Sequence, residues 1–140
     1  MAGNVVEVAR ESWRHRGSIN FEKLDVWQKA IDFANLVYDE TRAFPAEERF
    51  GLTNQLRRAA ASISSNIAEG SSRSSKSDFA RFLEIAAGSV FEVVSQAFIA
   101  QRQGFWSDVQ FRRIYNDAEE LRRMISGLRK SLLSTLNSQP

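Results

Sequence analysis

Residues 107–136 read SDVQFRRIYNDAEELRRMISGLRKSLLSTL, and they decide the fold. Ser107 and Gln110 stand three apart at the start, the spacing of a capping box in which a hydroxyl and a carboxamide satisfy the free amides of a first helical turn. Trp106, just ahead, can pack on Phe111 as a hydrophobic staple. Phe111, Ile114, Ala118, Leu121, Ile125, Leu128, Leu132 and Leu136 then recur every three or four residues, with Tyr115 alongside. One face therefore stays apolar for about seven turns, which is a helix with one buried side.

Upstream, the same period repeats three times. A third helix opens at Ser77 as N-cap and runs to about Gln103, with Gly104 as its stop; Phe79, Phe82, Leu83, Ala86, Val90, Val93, Val94 and Ala97 form its stripe. A second helix starts near Glu47 to Phe50 and continues to Glu69, burying Leu52, Leu56, Ala59, Ala60, Ile63 and Ile67. Gly70 supplies the left-handed position that closes it, and Ser71 to Ser75 form a loop. A first helix spans about Asp25 to Ala43 on the stripe Trp27, Ala30, Ile31, Ala34, Val37, Tyr38 and Thr41, and Phe44-Pro45 ends it. No strand-like alternation competes. The expected architecture is all-α, an antiparallel up-down-up-down four-helix bundle over residues 21–137, preceded by an N-terminal arm, residues 1–20.

Composition narrows the chemistry. The 140 residues are 43% hydrophobic and 26% charged, enough for one cored domain, and they include no Cys. That excludes a disulfide scaffold and a thiolate metal site. His15 is the sole histidine, so neither a two-His ligand set nor a Ser-His pair in the bundle can be built. There is no glycine-rich phosphate loop and no Glu-x-x-His pair of a bundle di-metal site. We expect no catalytic residues, no metal and no cofactor. Residues 1–20 lack the apolar core of a secretory signal, and no run approaches the roughly 18 apolar residues of a membrane span, so a cytoplasmic location without membrane contact is expected.

Some faces carry more apolar or small surface than one bundle hides. Ala61, Ser65 and Ala68 lie opposite the second helix's core stripe, where Lys and Glu would normally face water. Phe91 and Phe98 sit beside the third helix's stripe, and Phe33 and Leu36 beside the first helix's. Organised faces of this kind mark subunit contacts; the alternative is a core wide enough to cover them. Asn66 and Glu69, just before Gly70, lie beside the second helix's stripe. They could belong to a ligand or subunit site. The favoured reading is structural, with Asn66 bonding a neighbouring helix's carbonyls and Glu69 pairing with Arg57, Arg58 or Arg73.

Charge is graded: residues 1–56 sum to −2 and residues 57–140 to +4. Arginine far outnumbers lysine, which suits bidentate phosphate recognition. Arg57, Arg58, Arg73, Lys76 and Arg81 are read as one group around the second loop. Arg112, Arg113, Arg122 and Arg123 form a second group on the fourth helix, partly neutralised by Asp108–Arg112 and Glu119–Arg123 pairs at i, i+4. These nine are the candidate contacts to RNA or DNA; a scaffold that docks a polypeptide is the competing reading.

Phe21-Glu-Lys-Leu24, Val26-Trp-Gln-Lys-Ala30, Glu48-Arg-Phe-Gly-Leu52, Gln55-Leu-Arg-Arg-Ala59, Asn66-Ile-Ala-Glu-Gly70 and Phe79-Ala-Arg-Phe-Leu83 follow one another in order. In these segments the chain resembles the four-helix-bundle proteins encoded in intervening sequences of bacterial 23S ribosomal RNA genes, over about Phe21 to Leu133. Ser64 stands where that pattern usually has proline, which should straighten the second helix. The resemblance implies a homopentameric ring without known catalytic activity. More distantly the chain is similar to the accessory variability determinant of diversity-generating retroelements, which looks like a basic barrel binding nucleic acid and a reverse transcriptase.

Overall fold

A computed structural model describes residues 20–137. The expected arm, apart from Asn20, and the side chain of Leu136 lie outside the described residues. Four helices form: α1 Asp25–Thr41, α2 Leu52–Ser71, α3 Lys76–Arg102 and α4 Asp108–Asn137, with short 3-10 turns at Phe21–Lys23 and Ala46–Glu48 and no strand among the described residues. Each helix packs on the next, and α4 closes against α1, as a four-helix bundle requires. The core runs through Ala30, Val37, Leu56, Ile63, Leu83 and Leu121, none of which reaches solvent. At 1.5 Å per residue α1 is only about 25 Å long, against about 45 Å for α4.

The helix starts follow local chemistry. Ser107 Oγ accepts from Gln110 N at 3.2 Å while Gln110 Oε1 accepts from Ser107 N at 2.9 Å, the expected reciprocal cap of α4. Trp106 is buried, its ring 5.3 Å from that of Phe44, and its Nε1 donates to Glu40 O at 2.6 Å. For α3 the cap is Ser75, not Ser77: its Oγ accepts from Asp78 N at 3.0 Å. The start of α2 is held by Glu48 Oε2, which accepts from Leu52 N at 3.0 Å, so the chain between Glu47 and Gly51 forms turns rather than helix. Gly104 does adopt positive φ, 76°, and ends α3 as expected.

Two further expectations are corrected. Gly70 stays helical and buried rather than left-handed. Its role is proximity: a Cβ there would lie 2.6 Å from Phe82 Cβ, so only glycine lets α2 and α3 approach this closely. The face of α1 is also rotated by about one residue. Val26, Ala30, Phe33, Leu36 and Val37 are buried, whereas Trp27 and Ile31 are half-buried and Tyr38 is exposed. Phe33 and Leu36 are therefore core residues of this chain rather than part of an outward contact face. Helix α3 alone is long and apolar enough to cross a membrane among the described residues, but α2 and α4 cover it on two sides.

Candidate nucleic-acid interface

The antiparallel packing distributes the candidate cations. Arg57 and Arg58 stand near the start of α2, about 22 Å along its axis from Arg73, so the first group does not form one patch. Arg57 is committed inside the chain: Nε donates to Thr41 Oγ1 at 2.9 Å, Nη2 donates to Tyr38 O at 3.4 Å, and Cζ lies 4.7 Å from the Tyr38 ring centroid. At the other end, Arg73 pairs with Glu69 at 2.9 Å. Arg81 lies 3.8 Å from Asp78, and both guanidiniums stand over the Phe82 ring, at 4.8 and 4.7 Å. Arg58 and Lys76 are exposed and carry no ion pair among the described residues.

On α4 the pairing differs from the expected one. Glu119 takes Arg122, through Nη2 at 2.6 Å and Nε at 3.1 Å, rather than Arg123. The hydrogen bond from Arg122 holds the Glu119 carboxyl below its ordinary pKa and raises that of the guanidinium. Asp108 accepts from Gln101 Nε2 at 3.0 Å instead of pairing with Arg112, and Arg113 turns to Glu40 at 3.7 Å. Arg112 and Arg123 are thereby left exposed and unpaired among the described residues, in line with Lys130 on the solvent face. From Arg112 to Lys130 this row is about 27 Å long.

The expected contact residues split as well. Phe91 is 60% and Phe98 40% exposed, seven residues apart on one side of α3. Phe98 packs on Phe111 and Tyr115, with ring centroids 4.8 and 6.3 Å away. The Glu84–Arg129 ion pair fixes the register that puts Phe91 level with Arg122. Ile85 and Ile99 extend the same outward face of α3. Along α2, Ser65 is exposed and Ala61 and Ala68 half-exposed. Asn66 does not reach another helix: Nδ2 donates to Ser62 O at 2.8 Å and Oγ at 3.0 Å, and Ser62 Oγ meets Ser89 Oγ at 2.9 Å.

Sequence reasoning missed Arg42 and Arg49. With Arg57 they line one cavity of about 410 Å³ at the end of the bundle where α1 turns into α2. No periodicity joins these three, because the turn through Phe44-Pro45 brings them together. Among the described residues no group of three or more Asp, Glu or His gathers that could hold a metal ion.

The model of the family described as 23S rRNA-intervening sequence protein matches residues 22–127. No curated protein matches. Among solved structures, the fold is similar to a protein of unknown function from the S23 ribosomal protein family of Bacteroides thetaiotaomicron, at a TM-score of 0.68 and 25% identity, covering 75% of this chain and 98% of that one. The match takes in all of α1 to α3 and two thirds of α4, including the Asn66–Gly70 segment and the Phe82 contact that admits only glycine. The chain belongs to the 23S rRNA-intervening sequence protein family.

Proposed function

We propose that this chain is a non-catalytic, cytoplasmic bundle that self-associates, as a pentameric ring by family resemblance, and binds RNA or DNA through phosphate contacts along α4. The carrying observation is the exposed row Arg112, Arg123 and Lys130, none of which makes an ion pair among the described residues, although Glu119 still acts on Arg123 through space. Unpaired cations on a rigid helix attract a polyanion at long range, and in a ring each row repeats so that the potentials add. Such binding reads no bases. Fluorescence anisotropy with mixed-sequence single-stranded RNA and DNA tests it. Affinity should fall steeply with salt, and each phosphate contact removed by Arg112→Glu, Arg123→Glu or Lys130→Glu should flatten the log–log slope by about 0.7. Nucleic acid held no more tightly at low salt than an acidic control protein overturns the reading.

The exposure of Phe91 and Ile99 favours a second reading, a scaffold that docks a polypeptide on α3. A stoichiometric protein partner that survives nuclease treatment and is lost in Phe91→Glu would support it over the first.

A further inference from the structure

The cavity where α1 turns into α2 is lined by Arg42, Arg49 and Arg57, by Thr41 and Thr53, and by the turn at residues 44–46. No carboxylate lines it. Three guanidiniums around one concavity repel one another unless an anion sits among them. Arg42 alone has a carboxylate partner, Asp39 at 3.1 Å, and both side chains of that pair are mostly exposed, so the contact is weak and exchangeable.

Arg57 is built in rather than draped over the surface. Its bond to Thr41 Oγ1, itself anchored by donating to Val37 O at 2.7 Å, fixes the guanidinium plane. Two of its five N–H groups are used, and the others remain to donate. Thr53 is 8% exposed, and its hydroxyl makes no hydrogen bond among the described residues although it lines the cavity. Thus an accessible hydroxyl free of intrachain bonds, a fixed guanidinium and two movable ones line one space. Guanidinium forks match the oxygens of a phosphoryl group, and the excess positive charge suits a monoester dianion better than a singly charged diester.

At the rim, the Arg49 guanidinium lies 5.9 Å from the ring centroid of Phe50, which is 87% exposed. A large aromatic ring held in water next to a phosphate-type pocket is a stacking platform for a nucleobase.

We propose that this cavity binds the phosphate monoester of a nucleotide, either free or at the 5′ end of a nucleic acid strand, with Phe50 beneath the base. No residue of the cation row on α4 lines this cavity.

Calorimetry with a nucleoside monophosphate and the matching nucleoside tests the pocket. Anisotropy with 5′-phosphorylated and 5′-hydroxyl oligonucleotides of one sequence then distinguishes the two sources. The monophosphate should bind and the nucleoside should not. Arg42→Ala and Arg49→Ala, both at exposed positions, should each weaken the monophosphate about tenfold, the scale of one charge-assisted hydrogen bond, with helicity unchanged. Phe50→Ala should weaken the monophosphate but not inorganic phosphate. A preference for the phosphorylated strand that survives Arg112→Glu but not Arg49→Ala assigns the site to strand ends; monophosphate binding without that preference assigns it to free nucleotides. If the monophosphate binds and neither strand does, the pocket stands and the α4 reading falls. If both strands bind equally and the monophosphate does not bind, the pocket is overturned and the α4 reading stands.

Discussion

Position 70 has no room for a methyl group. Its neighbours are Phe82 Cβ, 2.6 Å from where a Cβ would stand, and Phe79 Cδ1 at 3.0 Å, and the first cannot swing aside as the end of a long side chain could. Gly70→Ala must therefore push α2 and α3 apart near the loop that joins them. Overpacking of this kind costs about 1–3 kcal/mol against a gain of about 1 kcal/mol from alanine's helix propensity, so the net is a loss of up to about 2 kcal/mol. Chemical denaturation should show the midpoint falling with the slope unchanged; a midpoint at or above that of the parent overturns the close-approach account. The sequence could not separate this role from a left-handed cap, because a glycine near a helix end signals both. Arginine pairing was hidden for a similar reason. Glu119 has Arg122 and Arg123 at its two preferred helical spacings, and the folded geometry selects Arg122.

Among the elements, α4 was legible because its start is encoded by contiguous residues. Ser107 and Gln110 cap each other, and neither needs anything distant to do so. Gln110 does more, since its Nε2 also donates to Glu40 Oε2 at 2.7 Å and ties the start of α4 to the end of α1. Ser107→Ala should thus cost about 1 kcal/mol, and Gln110→Ala should cost more, because it loses the cap and the tie together. Urea unfolding of the two variants decides it, and equal losses would mean that the Glu40 bond contributes nothing. By contrast, the phase of α1 was not legible. Apolar residues fill two adjacent registers, and periodicity cannot choose between them. Packing does: the ring of Tyr38 stays at the edge under Arg57, and Phe33 takes the interior. The arginine cavity was invisible for a further reason, as its walls come from the end of α1, a turn and the start of α2.

For the whole molecule, assembly turns on the outward face of α3, where Ile85, Phe91, Phe98 and Ile99 are all substantially exposed around Gly88. Gly88 and Gly127 make a matched pair. Both are exposed within helices, and a Cβ at either would meet open space within this chain. In a lone copy, alanine at each should raise stability by about 0.5–1 kcal/mol, since glycine in a helix interior carries an entropic cost and nothing here resists the added methyl. If a second copy packs closely on α3, the two substitutions diverge. Gly127→Ala should keep its gain, while Gly88→Ala should put a methyl group into the contact and weaken assembly. Phe91→Glu should go further and release single copies whose helicity is unchanged, because that side chain contributes little to the intrachain core. Light scattering across a concentration series, paired with thermal unfolding, reads both effects. Should the parent chain run as a single copy at micromolar concentration, and should both glycine variants simply gain stability, then the apolar face of α3 serves another partner and the cations of α4 act alone rather than as a repeated set.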